Sequence, residues 1–412
     1  MAIGRALRHR NYRLFFAGQG VSLVGTWLSK FAIAWMAYRI TGSALMLGVV
    51  AFASHAPTSV FAPLAGVLVD RWNRQRVILV TQVLAGLQSA ALAVFAFADA
   101  MTVWHLALLG AFQGVINAFD MPARQSFLRD MIDDPADLPN AIALNSAIVN
   151  VAKLSGPVFA AALVALVGEA WCFAIDAATY LAVIASMLAI RVRATPPKPR
   201  ASVVVELRAG YRYVWSTPIL RDVLVQLAIN SVLAGAYLQL LPAVAAEQVG
   251  HGPYTLGILM GSGGCGALVG TLYLASRTSI EGLRAVVLQS RLVLGAAMML
   301  LVVATTTWLA APVVFVIGLA LMIQLAGTNT ILQTASDPAM LGRVMSMYAI
   351  ANTGGAPVGA FLEGSIAEHA GAANTLAGAG VLVVVVTLLF RRNTSMTVPS
   401  PAQIDERPHR AA

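Results

Sequence analysis

Long apolar runs separated by short charged segments are the dominant pattern of this 412-residue sequence. Most runs hold about 20 residues or more, which lets an α-helix cross the hydrocarbon core of a bilayer. The pattern therefore predicts an all-α integral membrane protein with twelve membrane-spanning helices. Their approximate positions are 14–38, 45–69, 77–97, 103–127, 139–167, 171–190, 219–246, 254–276, 285–306, 309–332, 344–367 and 375–390.

A hydrophilic segment, 191–218, separates the sixth predicted helix from the seventh. It begins with a Pro-rich stretch that cannot be helical throughout. In the part that follows, Val204, Leu207, Tyr211 and Val214 recur at helical spacing, which predicts an amphipathic helix on the membrane surface. The predicted organisation is an N-terminal six-helix half (1–190), a cytoplasmic linker (191–218), a C-terminal six-helix half (219–390) and a cytoplasmic tail (391–412).

Basic residues are distributed unevenly between the two sides of this predicted bundle. When the helices alternate in direction, all of the 27 Lys and Arg residues except Lys30, Arg39 and Lys153 are assigned to one side. The positive-inside rule makes that side cytoplasmic and places both termini there. The net charge of +9 therefore indicates membrane topology, and no nucleic-acid partner is expected. We expect a bacterial inner (plasma) membrane, because the chain is rich in Ala and Arg and carries no recognisable organelle transit signal.

Composition excludes several other classes of protein. With 58% hydrophobic and 11% charged residues, the chain cannot build the surface of a soluble domain. Cys172 and Cys265 both lie in apolar runs, so neither a disulfide framework nor a metal cluster is predicted. The six histidines are scattered and none stands at HExxH spacing to an acid. We therefore expect no metal, no cofactor and no enzymatic activity.

The loop between the second and third predicted helices reads Gly66-Val-Leu-Val-Asp70-Arg71-Trp-Asn-Arg74-Gln-Arg76. An acid and three arginines cannot lie in hydrocarbon, so this is a tight charged turn at one membrane face. A topology anchor common to many membrane proteins is one explanation. The order of residues also resembles the G-x-L-x-D-R-x-G-R-K signature of the major facilitator superfamily, with Asn73 and Gln75 as departures. Asn tolerates a left-handed backbone, so we expect Asn73 to replace the signature glycine in the turn.

Further segments are similar to one branch of that superfamily, the transmembrane secretion effectors, which include siderophore and macrolide exporters. The matching segments are 11–19, 22–25, 120–127, 138–144, 241–242 and 342–348. The resemblance implies the major facilitator fold of two six-helix halves, with a central cavity near the midplane that the first and fifth helices line or flank. It also implies secondary active export of a small amphipathic molecule (siderophore or drug-like) by alternating access, with proton antiport and a monomeric carrier. An importer or a lipid flippase of the same fold is the alternative.

The resemblance also implies a conformational gate at the signature loop, which includes Gly66 and Arg71. In the superfamily the loop acid, here Asp70, caps a helix of the other half. The loop base, here Arg74, pairs with an acid of the fourth helix, here Asp120. Such contacts stabilise the state that is closed on the cytoplasmic side. The alternative for Asp120 is a local ion pair with Arg124 one helical turn away.

Four charged residues inside predicted helices are candidates for the substrate or proton pathway. Lys30 and Lys153 are costly in a membrane and predict a positively lined cavity for an anionic or polar substrate. Alternatively, one Lys pairs with Asp176 while the other reaches the outer interface. Burial disfavours the charged form of Asp176, which makes it a candidate proton carrier unless it forms a static ion pair. Glu363 is a candidate for coupling or a residue exposed at the membrane surface.

Gly156 and Pro157, in the fifth predicted helix, follow Ser155 and precede Ala160 and Ala161. Their order partly resembles a Gly-Pro motif that marks antiporters in the superfamily. Proline frees a backbone carbonyl and bends a helix, and small neighbours permit close packing. The alternative is an ordinary kinked membrane helix.

Overall fold

The structure, a computed structural model, describes residues 4–192, 203–235, 237–250, 252–277, 279, 281–337 and 340–391. Regular secondary structure within these residues is helical throughout. The helices are α1 (Arg10–Thr41), α2 (Ala44–Arg71), α3 (Arg74–Phe97), α4 (Val103–Asp130), α5 (Leu138–Val167), α6 (Glu169–Ala189), α7 (Val203–Ser216), α8 (Pro218–Leu233), α9 (Tyr237–Val244), α10 (Pro253–Ala275), α11 (Leu283–Leu300), α12 (Thr307–Ala335), α13 (Leu341–Ala370) and α14 (Ala372–Arg391).

These helices confirm the predicted all-α membrane fold class. Among the described residues, 11 helical segments are long and apolar enough to cross a membrane. The remaining predicted span lies on α13, which has 30 residues but is less apolar because it carries polar side chains such as Asn352, Glu363 and Glu368. The seventh span was predicted as continuous. It is instead broken after Leu233 into α8 and α9, and α9 continues into a π-helical turn, Ala245–Val249.

Local sequence explains where the first helices stop and start. Gly42 ends α1 in the left-handed conformation, with φ 61°, and its N–H donates to the Tyr38 carbonyl oxygen. The Ser43 hydroxyl then caps α2 by accepting from the Met46 N–H. Asn73 caps α3 in the same way through the Arg76 N–H, at 3.0 Å. Asn73 does not adopt the expected left-handed backbone. Its φ of −68° and ψ of 109° are extended, and its side chain serves as a helix cap.

The linker contains the expected helix in its second part. Val214 of α7 is fully buried, while Tyr211 and Trp215 are exposed and stack with ring centroids 4.8 Å apart. One apolar side of α7 thus packs on α8 and α13, and an aromatic side faces outward. The Pro-rich stretch at 193–202 and the tail after residue 391 lie outside the described residues.

The two six-helix halves repeat one packing pattern. In the N-terminal half α1 packs on α5 and α6, α2 packs on α4, and α3 packs on α4 and α6. In the C-terminal half α8 packs on α13, α10 packs on α12, and α11 packs on α12 and α14. The halves meet mainly through α2 with α13 and α5 with α10.

The bundle has two faces. We call the face where α2 ends, α3 begins and α4 ends the basic face, and the face where α1 ends and α2 begins the opposite face. Contacts between the halves close the opposite face. There the Tyr38 hydroxyl donates to Glu247 Oε1 at 2.8 Å, and the Ser43 hydroxyl donates to Glu368 Oε2 at 2.8 Å.

Glycines allow α2 and α13 to approach each other at this closed face. A Cβ on Gly364 would stand 2.8 Å from the Ala44 carbonyl oxygen and 3.0 Å from the Gly48 Cα. Gly354, ten residues earlier on α13, has no atom within 4 Å of its Cβ position. The close contact therefore depends on Gly364 in particular, and a side chain there forces the helices apart.

We predict that Gly364→Val destabilises the protein by about 1–3 kcal/mol, the usual cost of overpacking a tight contact. Thermal unfolding in detergent is the measurement. Gly354→Val is the matched control, since it makes the same chemical change on the same helix in open space, and its melting temperature should stay close to that of the parent protein. Equal losses in both variants would contradict a close helix crossing at Gly364.

Candidate functional site

A cavity of about 350 Å³ lies within the N-terminal half. Side chains of α1, α3, α4, α5 and α6 line it, and it follows α1 from Phe15 to Ile33, a length of about 27 Å. The resemblance led us to expect a central cavity that the first and fifth helices line or flank, and both helices contribute to this one. The residues that line this cavity all belong to one half.

The deep end of the cavity contains four polar side chains at one level. Lys30, Gln88, Gln113 and Asp176 come from four different helices and all line the cavity. Each lies about 10–17 Å from the end of its helix at the opposite face, given the rise of an α-helix. Four chain segments thus bring polar groups together inside the membrane-spanning region.

Lys30 extends into this space near Asp176, which is close enough to interact with it electrostatically. Its ammonium lies 4.7 Å from the centroid of the Trp27 ring, a cation–π contact. Within the described residues, no ion pair closer than 4 Å joins a Lys to Asp176, so the predicted Lys–Asp176 pairing is at most a longer-range attraction between Lys30 and Asp176. Lys153 is half-buried on α5 and does not line the cavity.

Asp176 is 2% exposed and only half satisfied. Its Oδ2 accepts a hydrogen bond of 2.6 Å from the Ser89 hydroxyl. Its Oδ1 has no hydrogen bond of good geometry among the described residues, and the Ser29 hydroxyl is a further donor near the carboxylate. A buried carboxylate oxygen without a donor is costly, so this atom is a natural position for a proton or for a donor of a ligand.

Two amide oxygens in the cavity wall share this property. Gln19 Oε1 and Gln113 Oε1 are buried without a donor among the described residues. The amide nitrogen of Gln113 is occupied, because it donates to Asn117 Oδ1 at 3.1 Å. The wall therefore offers free acceptors at Gln19, Gln113 and Asp176.

Asp120, closer to the basic face, is fully paired. Its Oδ1 accepts hydrogen bonds from the Thr81 hydroxyl at 2.8 Å and the Gln82 amide at 2.9 Å, and its Oδ2 forms an ion pair with Arg124. The local pair that the sequence allowed is thus present. Arg74 does not contact Asp120; it pairs with Asp130, at 2.9 Å, because Asp130 stands at the end of α4 next to the start of α3.

The remaining residues of the signature loop lie at the end of α2. Arg71 is its exposed last residue, and a Cβ on Gly66 would meet no atom within 4 Å. The side chain of Asp70 lies outside the described part of the structure, so its predicted capping contact stays a prediction.

Glu363 is 5% exposed, which contradicts the alternative that placed it at the membrane surface. Neither of its carboxylate oxygens has a partner among the described residues. It lies one turn beyond Gly359, whose Cβ position meets Val232 of α8. Glu363 therefore faces the region where α8 gives way to α9.

Gly156 and Pro157 lie where α5 meets its neighbours. The Trp27 side chain packs directly on Gly156, so this glycine fixes the aromatic wall of the cavity. The Pro157 carbonyl oxygen is 3.3 Å from the Cβ position of Gly257 on α10. The predicted helix bend thus lies at the contact between the halves, and α5 continues through it.

Sequence reasoning missed several polar residues. It assigned Arg291 to the charged face, but the structure buries Arg291 on α11 at 2% exposure, with hydrogen bonds to Gln226 and Thr328. It also passed over Gln19 and Gln113. A signal was present, because uncharged amides inside apolar spans need partners as charged groups do.

A second charged cluster joins the N-terminal segment to the start of α5 on the basic face. Arg5 pairs with Asp137 at 2.9 Å, and His9 contacts Asp137 at 3.1 Å and Asp133 at 3.2 Å. Burial alone would lower the pKa of His9, but the hydrogen bonds to Asp137 and Asp133 and their negative charges outweigh it and raise that pKa. Groups of His, Cys, Asp and Glu suited to a metal ion are absent from the described residues.

Comparison with protein families gives a match over most of the chain. The model of the family described as "Transmembrane secretion effector" matches residues 5–410. The multidrug efflux pump Tap of Mycolicibacterium fortuitum is 26% identical, over 86% of this chain and 87% of its own. The enterobactin exporter EntS of Escherichia coli is 25% identical, over 93% and 92%. The staphyloferrin A transporter of Staphylococcus aureus is 22% identical, over 92% and 95%.

Solved structures share the fold. The nucleoside transporter NupG superposes with a TM-score of 0.71 at 14% identity, covering 96% of this chain and 100% of its own. A bacterial homologue of the lysosomal transporter Spinster, in an inward-facing and occupied conformation, superposes with a TM-score of 0.73 at 14% identity, covering 95% and 99%. At this identity the likeness establishes the fold.

We predict that His9→Gln destabilises the protein more at about pH 6 than at about pH 8. Because the pKa of His9 is raised in the folded state, protonated His9 contributes its full stabilisation below the unfolded value near 6.5. That contribution is lost as the pH rises through the raised pKa. The expected difference is up to about 1 kcal/mol, measured by thermal unfolding at both pH values. His369→Gln, at the other end of the bundle, is the control, and an identical pH dependence in both variants would contradict the role of His9.

Proposed function

The chain belongs to the transmembrane secretion effector family, and from this membership we propose that it exports a small amphipathic molecule, siderophore-like or drug-like, by alternating access. Family membership makes it a multi-pass membrane transporter and not an enzyme. Two relatives are named as an efflux pump and an exporter, which supports the outward direction.

One observation carries the proposal. The cavity holds an unpaired cation, Lys30, and a half-paired acid, Asp176, inside the membrane-spanning region. Charged side chains inside a membrane-spanning region carry a free-energy cost of insertion, so their presence there indicates a functional role. Their placement in a cavity of suitable size supports a binding site for a small polar or amphipathic molecule.

The distribution of charge supports the orientation. The basic face carries most of the Lys and Arg residues, so we place it, with both termini, in the cytoplasm of a bacterial inner membrane. Contacts between the halves close the opposite face. In this orientation the structure is closed toward the outside. A monomer in this conformation loads its cargo from the cytoplasm.

We assign proton coupling to Asp176. Its buried Oδ1, which lies beside Gly25 of α1 without a hydrogen bond of good geometry, can hold a proton when cargo is absent. Glu363 is a second candidate, because both of its oxygens lack partners among the described residues. Lys153, close to Lys30 but outside the cavity wall, adds positive charge to the same region.

The signature loop supplies the gate in this proposal. Asp70 caps a helix of the C-terminal half when the cytoplasmic side closes, and Gly66 and Arg71 shape the end of α2. Arg74 holds the start of α3 to the end of α4 through Asp130. Asp120, paired with Arg124, fixes the wall of the cavity on α4. A difference of a few kcal/mol between such contacts is sufficient to bias two conformations.

We predict substrate-dependent proton efflux from inside-out vesicles that contain the protein and are acid inside. A panel of siderophore-like and drug-like compounds is added, and uptake is followed together with the decay of the pH gradient. Asp176→Asn should lower gradient-driven uptake by about tenfold or more, a change in free energy of about 1.4 kcal/mol, because the amide cannot exchange a proton.

Ser89→Ala is the companion variant, since it removes the hydrogen bond to Asp176 Oδ2 but keeps the proton site, and it should retain coupling. Uptake that is unchanged after the gradient is collapsed would contradict proton antiport. Gradient-driven accumulation only in vesicles of the opposite orientation would show an importer.

We predict that Asp70→Asn abolishes transport while the protein remains inserted and folded. Removing the charge weakens the cap that closes the cytoplasmic side. Initial transport rates and size-exclusion profiles are the measurements, and Asp99→Asn, in the turn after α3, is the matched control that should transport normally. Normal transport by Asp70→Asn would contradict the gate.

A further inference from the structure

The cavity has unpaired groups of two kinds, and together they define a ligand. Gln19 Oε1, Gln113 Oε1 and Asp176 Oδ1 all line it and lack a donor among the described residues. Gln19 is 4% exposed and Asp176 is 2% exposed. Buried acceptors of this kind require hydrogen-bond donors, so a ligand that fits brings several hydroxyl or N–H groups.

The Lys30 ammonium is the group in the cavity that an acidic ligand would complement, although Asp176 also lies near enough to interact with it electrostatically. Arg124 is neutralised by its ion pair with Asp120. Lys30 has the face of Trp27 as its neighbour and, within the described residues, no carboxylate closer than 4 Å. An acidic group on the ligand satisfies Lys30 with a charge-assisted hydrogen bond, and an apolar or aromatic part lies against Trp27.

We propose that the cargo is a hydroxylated organic acid. Its acidic group meets Lys30, and its hydroxyl groups donate to Gln19, Gln113 and Asp176. This identification of the cargo rests on the exporter function proposed above. A cavity of about 350 Å³ is within the range of small-molecule sites. Lipophilic cations are disfavoured, because they lack donors for the free oxygens and are repelled by Lys30.

The same contact couples cargo to protons. Asp176 Oδ1 accepts either a proton or the hydrogen bond of a cargo hydroxyl. When the hydroxylated acid binds, the proton leaves Asp176 for water, and no covalent bond in the cargo changes. Cargo and proton thus compete for one oxygen, which is the requirement for antiport.

Other charged and titratable groups interact with this acid or line the same cavity. They are Lys30 on α1, Asp120 and Arg124 on α4, and Cys172 and Tyr180 on α6. His55 on α2 lies near enough to Lys30 to interact with it. The pH experiment therefore includes a His55→Gln control.

The test is calorimetric titration of the full-length protein in lipid nanodiscs with four probes. They are gallate (a trihydroxybenzoate), its neutral methyl ester, benzoate, and the lipophilic cation tetraphenylphosphonium. We expect gallate to bind about tenfold or more tightly than methyl gallate, which lacks the charge-assisted hydrogen bond, and than benzoate, which lacks the hydroxyl donors. We expect tetraphenylphosphonium to bind more weakly than gallate.

Variants assign the two contacts. Lys30→Met should remove the preference for gallate over methyl gallate, and Lys30→Arg should restore it. Gallate binding should tighten as the pH rises and release a proton in the parent protein and in His55→Gln. Asp176→Asn should bind gallate without that pH dependence, because the amide oxygen still accepts a hydrogen bond.

Equal binding of gallate and methyl gallate, absence of gallate binding, or tighter binding of tetraphenylphosphonium would overturn the inference. The vesicle experiment separates this failure from failure of the exporter function. Proton-coupled export of a cationic or hydroxyl-free compound would leave the exporter standing and remove the hydroxylated acid. Tight gallate binding without gradient-driven export of any compound would support the hydroxylated acid as ligand and contradict the exporter function.

A separate observation concerns the opposite face. Glu368 of α13 accepts hydrogen bonds from the Ser43 hydroxyl at 2.8 Å and from the Leu45 N–H at 3.0 Å. An acid of the C-terminal half thus caps α2 of the N-terminal half, where the helix dipole favours negative charge. Glu247, also in the C-terminal half, accepts a hydrogen bond from the Tyr38 hydroxyl of the N-terminal half.

We infer that Glu368 is a latch that holds the opposite face closed. It reverses the arrangement proposed for Asp70, in which an acid of the N-terminal half caps the C-terminal half on the basic face. Releasing this contact is a required step when the opposite face opens. The two latches then stabilise the two opposite end states of the cycle.

Electron–electron resonance between spin labels on the α1–α2 turn and the α13–α14 turn tests the latch. Glu368→Gln should raise the population with long distances several-fold, and Glu281→Gln, an exposed acid on the basic face, should leave it unchanged. Identical distance distributions in Glu368→Gln and the parent protein would overturn the inference. Thermal unfolding of both variants verifies that they are folded.

Discussion

Hydrocarbon offers no partner to a polar group, and this constraint organises the whole protein. A helix supplies partners for its own backbone, so side chains carry the remaining requirement. Asp120 shows the requirement met, with two hydrogen-bond donors and an arginine around one carboxylate. Asp176 shows it half met. Asp176 also lines a cavity, so incomplete pairing marks a candidate site there that no motif marks.

The sequence predicted the fold because a membrane span needs only length and apolar character, which are properties of one segment. Pairing depends on how neighbouring helices are rotated and offset, which a single segment does not contain. Arg74 was therefore matched with Asp120, although the acid within reach is Asp130, ten residues later on the same helix. We expected Asn73 to adopt the backbone conformation of the signature glycine, but its side chain caps α3 instead.

The two halves place different chemistry on one framework. Gln82 lies eight residues after the start of α3, and Arg291 lies eight residues after the start of α11. Asp120 and Gln324 likewise share a position, 17 residues after the starts of α4 and α12. The N-terminal half therefore centres its polar cluster on an acid, and the C-terminal half centres its cluster on a base. The packing pattern is repeated, but the charge is not.

Placing the cavity inside one half has a thermodynamic consequence for the cycle. A site that moves as part of a rigid half keeps its shape in every conformation, so its own contacts bind a molecule equally well from either side of the membrane. A molecule that binds two conformations with equal affinity does not change the equilibrium between them. The free energy that distinguishes a loaded carrier from an empty one must then come from the C-terminal half, which contributes contacts only when it closes over the cavity. Under the alternating access proposed above, substitutions in the C-terminal half are therefore expected to change the conformational balance of the loaded carrier without changing the contacts that the cavity itself makes.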